Sequence, residues 1–534
     1  MPERRGSRPD EWSTFPDSRT IVLACRTLTS TIRLLETHDL LRGDPRLRFV
    51  FALYPDGTRF DAGAERLLRQ SGVDTVLPWS EVGEIDADLT LAASENVDTT
   101  TGTGPILVLP HGVGFNKYVP TEDGARRLAG LPAEEALRTG RVRVVLAHPE
   151  QEAQLRAASS AIAGHTVVTG DPTLDRLALS MPLRDRYRRL LCAGERRVIL
   201  VSSTWGRESA IGTLRTLPTR LLAELPADDH LVCFALHPNV WSRYGPRAVR
   251  VMFADAVDAG LVLLPPESGW HAAMIAADLV IADHGSLSMY AAALGKPLLL
   301  TGSAEETVPG TPVAELAGRA GRLVDDGTVP AQVDTALSLP HNDLHRITDR
   351  VFDHRGVTVQ RLRDEIYRLL GLVPPDGEPV VPRVPDAVGE LGGPHSYRVF
   401  VREEGALVVL TRYPAAARRA DGAGHLVVTE EETNLRLFER AAVLCRPHRT
   451  DGERADAWAR EALSAYPGAR VAVAGIDGGC VAHARDGQAM TITGTADVTV
   501  LGSVAYHRIG SAACPDELTV SVGAQRIPVE VRVR

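Results

Sequence analysis

Ala277-Asp278-Leu279-Val280-Ile281-Ala282-Asp283-His284-Gly285-Ser286-Leu287-Ser288-Met289-Tyr290 is the stretch on which the fold turns. Residues 279–282 make a short continuous apolar run, the pattern of a strand buried on both faces. A small polar turn follows, and a helix begins near Ser286 and covers 287–294. Gly295-Lys296-Pro297 then turns the chain into a second apolar run at 297–300. Strand, helix, strand is the unit of a parallel sheet, because parallel strands need a crossover connection.

The alternation extends in both directions. Upstream lie strands at 198–202, 231–236 and 261–264 with helices at 214–225 and 247–259. A helix at 359–370 closes this set. An earlier set has strands at 21–25, 48–53, 89–93, 106–110, 142–147 and 166–169, with helices at 28–41, 64–71 and 150–162. Two such sets predict an α/β chain of two tandem Rossmann-like doubly wound domains, residues 19–185 and 186–372. Ligands of such sheets bind in the crevice outside the carboxyl ends of the strands. Residues 1–18 read as a flexible N-terminus. Residues 373–394 carry six prolines and read as a semi-rigid linker. Residues 395–534 read as an appended small α+β or β-rich domain of unknown role. Strands are predicted at 397–410, 426–429, 470–474, 491–500 and 518–533, and a helix at 455–465.

Composition narrows the function. The 534 residues are 44% hydrophobic and 24% charged, an ordinary globular balance that rules out whole-chain disorder. A net charge of −9 argues against a general nucleic-acid binder, which needs a basic footprint. It leaves room for a local basic pocket. Lysine is nearly absent: Lys117 and Lys296 stand against 57 arginines. Cys25, Cys192, Cys233, Cys445, Cys480 and Cys514 are scattered without CxxC spacing, which fits a reducing cytoplasm. The polar N-terminus shows no signal-peptide apolar region, and no apolar run reaches the length of a membrane span. No P-loop, GxSxG elbow or GxGxxG fingerprint is present.

Four places carry candidate chemistry. Pro110-His111-Gly112-Val113-Gly114-Phe115-Asn116-Lys117 follows a buried strand. His111 suits a general base, Gly112 and Gly114 allow close backbone approach to a ligand, and Lys117 suits a phosphate. The alternative is a glycine-bearing turn with an incidental histidine. His237-Pro238 follows another strand, and its imidazole suits a phosphate or an acid/base centre; the alternative is a capping histidine. In the opening stretch, the turn Asp283-His284-Gly285 and the helix start at Ser286 and Ser288 form an anion site, with Ser286 as N-cap. Ser203-Thr204-Trp205-Gly206-Arg207 lines the donor side through Thr204 and Arg207, or is simply a loop. Gly170-Asp171-Pro172 suits a turn and a helix N-cap, and His148-Pro149-Glu150 a helix start. His341 and His345 have metal-compatible spacing, but their charged neighbours point to a solvated face.

Taken in order, these motifs resemble the CDP-glycerol glycerophosphotransferase family of teichoic-acid-type polymerases and primases. The matching segments are Pro110-His111-Gly112-Val113, Gly170-Asp171-Pro172-Thr173-Leu174-Asp175, Ser203-Thr204-Trp205-Gly206, His237-Pro238, Ala282-Asp283-His284-Gly285-Ser286 and Lys296-Pro297. Pro110 stands where the family has tryptophan, and His284-Gly285 where it has Tyr-Ser. The resemblance spans about residues 85–372. It implies a GT-B fold and a metal-independent transferase without cofactor, taking a CDP- or UDP-linked donor and a hydroxyl acceptor in cell-envelope polymer or glycan biosynthesis. It also implies a cytoplasmic protein, with peripheral association at the inner face of the plasma membrane. Two other readings stay open: a UDP-sugar 2-epimerase, and a non-catalytic nucleotide- or partner-binding scaffold.

Overall fold

The computed structural model describes residues 18–54, 61–96, 98–120, 126–325, 328–339, 343–386, 389, 392–417, 422, 424–511 and 515–534. The expected flexible N-terminus, apart from Ser18, lies outside the described residues, as do His341 and Cys514.

The first lobe contains β1 (Arg19–Cys25), β2 (Leu47–Leu53), β3 (Val76–Pro78), β4 (Leu89–Ala92), β5 (Ile106–Val108), a separate antiparallel pair β6 (Tyr118–Pro120) and β7 (Arg126–Leu128), then β8 (Val142–Leu146) and β9 (Thr166–Val168). Its parallel sheet runs β3-β2-β1-β4-β5-β8-β9. Ile21, Val22 and Leu23 on β1 are fully buried, because helices cover both faces; this is why the strand reads as a continuous apolar run. After β1 the chain enters the helix Leu28–Leu40 through a capping box of Thr27 and Ser30.

The second lobe holds β10 (Arg197–Ser203), β11 (His230–Leu236), β12 (Val262–Leu263), β13 (Leu279–Ala282), β14 (Leu298–Leu300) and β15 (Gly321–Arg322). All are parallel in the order β12-β11-β10-β13-β14-β15. In each lobe the strand order reverses at the first strand, β1 or β10. That switch point opens a crevice at the carboxyl ends of the strands.

Two features depart from the sequence reading of these lobes. The helix Thr358–Leu370 crosses back: Leu362, Ile366, Tyr367 and Leu370 pack with Leu23, Leu91 and Leu107 of the first sheet. Its amphipathic spacing shows that one face is buried, but not against which sheet. Gly170 permits the approach, since its φ is +84° and a Cβ there would lie 2.4 Å from Thr358 Cγ2. Within the proline-rich 373–394 segment, the Val384 side chain is buried, its carbonyl accepts from Tyr187 Oη at 2.9 Å, and Asp386 pairs with Arg186 at 2.7 Å. This part is docked on the lobes, where composition alone suggests a spacer.

Of the two forms expected for the C-terminal region, small α+β or β-rich, the structure corrects the first: among the described residues it is a nine-stranded closed barrel. Its strands are β16 (Ser396–Glu404), β17 (Leu407–Pro414), β18 (His425–Thr429), β19 (Val443–Arg446), β20 (Val471–Ile476), β21 (Gly479–Ala484), β22 (Ala489–Thr493), β23 (Glu517–Val522) and β24 (Gln525–Val533). They close in the order β16-β17-β23-β24-β22-β21-β20-β19-β18, with β16 pairing β18. The helix Val498–Gly510 shares one hydrophobic cluster with residues of all nine strands. Val498 to Val500, expected in a strand, begin this helix behind Asp497, which accepts from Thr499 N and Val500 N. The helix Gly452–Ala465 packs on the outside, against Leu426, Leu444 and Ala472. Closure leaves no unpaired sheet edge. Arg412 joins the barrel to the second lobe, bonding Asp228 at 2.5 Å and Asp497 at 3.0 Å. Among the described residues no helix is long and apolar enough to cross a membrane.

Candidate functional site

A cleft of about 480 Å³ separates the two parallel-sheet lobes, lined by residues from both. It brings together His111, Gly112, Gly114, Lys117, Thr204, His237, His284, Gly285 and Ser286. Arg207, Asp283 and Ser288 are not among its lining residues.

On the first-lobe wall, the chain leaves β5 through Leu109 and Pro110 and presents His111. Its Nδ1 lies 3.1 Å from the Ala93 carbonyl. A carbonyl only accepts, so Nδ1 carries the proton and Nε2 keeps a lone pair. His111 is open to the cleft, and desolvation by the surrounding walls draws its imidazole below the ordinary pKa, against the opposing pull of Glu95. His111 is therefore neutral at pH 7 and equipped to take a proton.

Gly112 has φ +144°, and a Cβ there would sit 2.6 Å from Ser286 Oγ. Its missing side chain makes room for the opposite lobe, at a position that also lines the cleft. The next residue completes the contact: Val113 N–H donates to Ser286 Oγ at 3.0 Å.

On the second-lobe wall, Gly285, not Ser286, is the N-cap of the helix Ser286–Ala293. The Ser286 hydroxyl is thereby freed to meet Val113. Asp283 is buried and acts as a staple: its carboxylate accepts from Thr204 N, Thr204 Oγ1 and Ala210 N at 2.8–2.9 Å and from Gly285 N at 3.0 Å. Ser288 Oγ donates to the Gly285 carbonyl at 2.7 Å. Both residues shape the helix tip without facing the cleft, and Arg207 is exposed elsewhere. His237 combines the two readings given to it. Its Nδ1 accepts from Asn239 N–H at 3.1 Å, capping the helix Pro238–Tyr244, so its Nε2–H is left as a donor. Burial, then the nearby His111 and Lys117, push its pKa down to about 3, and it stays neutral across the physiological range.

Lys117 Nζ sits 5.6 Å from the centre of the Trp205 ring, bridging the lobes by a cation–π contact. The chain beside it is tied across as well, through Val308 N–H to the Asn116 carbonyl at 2.9 Å. The other lysine is structural: Lys296 Nζ donates to the Ile275 and Ala277 carbonyls at 2.8 Å, closing the end of the helix Trp270–Ala276. His284 Nδ1 donates to the Ser303 carbonyl at 2.9 Å.

The sequence reading missed the floor of the cleft. Arg33 and Glu36 come from the helix Leu28–Leu40, and Trp270 and His271 from the second lobe. Arg33 donates to Thr173 Oγ1 at 2.6 Å and to the Pro110 carbonyl at 3.0 Å. Asp171 caps the helix Pro172–Ser180 as expected and also accepts from Tyr290 Oη at 2.7 Å. A lone arginine inside an amphipathic helix reads as solvated surface; only the lobe packing shows otherwise.

No protein-family profile matches the sequence, and no curated protein matches it. Solved structures do. The wall teichoic acid polymerase TagF is 12% identical over 66% of this chain and 89% of that chain, with a TM-score of 0.44. UDP-GlcNAc 2-epimerase from Neisseria meningitidis bound to UDP-GlcNAc is 14% identical over 66% of this chain and 99% of that one, TM-score 0.40. A glycosyltransferase from Rickettsia africae ESF-5 is 12% identical over 66% and 99%, TM-score 0.37.

Proposed function

We propose that this chain is a GT-B-type transferase that moves an alditol-phosphate or sugar from a nucleotide-diphosphate donor to an acceptor hydroxyl. The observation that carries the reading is the facing pair in one cleft: a neutral imidazole with a free Nε2 on one lobe, and a helix N-terminus with the Nε2–H of His237 on the other. The acceptor binds against residues 19–185 and the donor against 186–372. His111 Nε2 takes the acceptor hydroxyl proton as that oxygen bonds to the reacting centre. With an alditol-phosphate donor the attack is at phosphorus, the P–O bond to the nucleoside monophosphate breaks, and the bonding pair leaves with that oxygen. With a nucleotide sugar the anomeric C–O bond breaks and the diphosphate leaves. The helix dipole, the Gly285–Ser286 backbone, His237 and Lys117 stabilise the departing charge.

Thermal-shift titration with CDP, UDP, GDP and CMP tests the donor site, since a ligand that binds only the native state raises its melting temperature. A rise with one base supports the reading and names the donor. No rise with any of them, or product formation without an acceptor as in an epimerase, overturns it.

A further inference from the structure

Pro110 and Val113 bracket His111, and both are tied to one helix of the opposite lobe. Val113 N–H reaches Ser286 Oγ directly at 3.0 Å. Pro110 reaches the same helix through side chains of the cleft floor. Its carbonyl accepts from Arg33 Nε at 3.0 Å, Arg33 Nη2 pairs with Asp171 Oδ1 at 3.5 Å, and Asp171 Oδ2 accepts from Tyr290 Oη at 2.7 Å. Ser286 and Tyr290 stand one turn apart on the same face of the helix Ser286–Ala293. Two separate routes therefore join the turn that carries the imidazole to one face of the helix opposite.

Arg33 is the branch point of the longer route. Its Nη1 also donates to Thr173 Oγ1 at 2.6 Å, so one guanidinium spans the turn after β5 and the start of the helix Pro172–Ser180. Arg33, Asp171 and Tyr290 are all buried. A buried ion pair adds little net stability, because desolvation offsets the attraction. What a guanidinium does supply is direction, since its N–H groups lie fixed in one plane. Further charges enclose it: Glu36 lies 3.7 Å from Arg33, and 3.4 Å from both Arg176 and His271 Nε2. Tyr290 is steadied in turn by stacked rings, Trp270 at 5.8 Å and Phe352 at 5.5 Å. A reacting group misplaced by about 1 Å can lose about 10²-fold in rate, so the placement of this turn matters more to turnover than to stability.

We infer that Arg33 is a positioning residue: through Asp171 and Tyr290 it fixes the Pro110–Val113 turn, and with it His111, against the helix Ser286–Ala293. This deepens the transferase reading and rests on it, because that reading supplies the task for which His111 is held.

Nitrogen NMR of the full chain, isotopically labelled at histidine, tests it. The His111 signals are identified by their loss in His111→Ala, and those of His425, in the barrel, by their loss in His425→Gln. In the wild type His111 shows the Nδ1-protonated form alone. Arg33→Lys keeps the charge and loses the fork; Tyr290→Phe keeps the ring and loses one hydroxyl on the far lobe. In both, the two ring-nitrogen signals of His111 draw together as the loosened imidazole samples both tautomers, while those of His425 stay in place. A His111 signal that is unmoved in either variant, or a shift shared with His425, overturns the inference. The readout needs no substrate, so it fails separately from the transferase reading. The expected shifts in a protein whose melting temperature ignores CDP, UDP, GDP and CMP keep the positioning network and remove the transferase. Unmoved signals in a protein that binds one of these nucleotides remove the network alone.

Discussion

Val113 N–H donates to Ser286 Oγ across the cleft at 3.0 Å, so the turn that presents His111 is tethered to the helix tip opposite it. His111 and Ser286 therefore open onto one cleft, as the proposed transfer requires. Ser286→Ala removes one interlobe hydrogen bond, worth about 1 kcal/mol, and a small fall in melting temperature is expected. Gly112→Ala is expected to do more: its Cβ would press on Ser286 Oγ and hold the lobes apart. Nucleotide titration reads this as weaker binding in Gly112→Ala than in Ser286→Ala; equal binding would mean the lobes close without this contact.

His111→Ala removes the proposed base. Turnover is expected to fall by roughly 10²–10⁴-fold with an unchanged melting curve. Because the cleft walls desolvate His111 and hold it below the ordinary imidazole value, the acid limb of kcat/KM has its midpoint below about 6.5. His237, pushed down to about 3, adds no second limb above pH 5. A pH–rate profile from 4.5 to 8 checks both points, and an acid midpoint above 7 would exclude His111 as the base.

Arg412 is the tie between barrel and second lobe. Arg412→Met leaves Asp228 and Asp497 without their cation and is expected to cost about 3 kcal/mol. Arg412→Lys recovers only part of this, since an ammonium cannot reproduce a guanidinium fork between two carboxylates. Denaturant unfolding of the full chain measures both variants, and equal midpoints for wild type and Arg412→Met would refute the assignment.

His425 makes barrel stability depend on pH. It is buried, its Nε2 lies 3.1 Å from Ser503 Oγ, and its ring stacks on Tyr506. Burial, then Arg398 and His507, lower its pKa to about 4. The unfolded chain therefore takes up this proton first, near pH 6.5. Its contribution is complete above that value and disappears as pH falls toward 4, at most about 3 kcal/mol. His425→Gln should flatten the dependence of unfolding midpoint on pH between 7 and 4.5.

The two α/β lobes were legible because parallel strands covered on both faces leave continuous apolar runs such as 21–25 and 279–282, and each run became a strand. The barrel was harder to read. Strands such as His425–Thr429 and Val471–Ile476 lie between the inner and outer helices and are buried on both faces, while Leu407–Pro414 alternates, so no single period runs through the barrel, and two hairpins read as the single long runs 397–410 and 518–533. Val443–Arg446 and Gly479–Ala484 were not anticipated. At the site, residues just past a strand end were found by position: His111, His237 and Gly285 all face the cleft. Asp283, Ser288 and Arg207 sit beside such ends too, but which way a turn residue points depends on local bonds that no spacing rule encodes. Glu36 and His271 lay beyond reach, because what makes them notable is the opposite lobe.

The scarcity of lysine has a practical result. Lys296 is enclosed and spends its hydrogens on two carbonyls, while Lys117 stands in the cleft beside Trp205. Apart from the chain's own amino terminus, an acylating reagent would therefore find one receptive amine. A label coupled there would mark the crevice and discharge its lysine in one step, with no engineered attachment point.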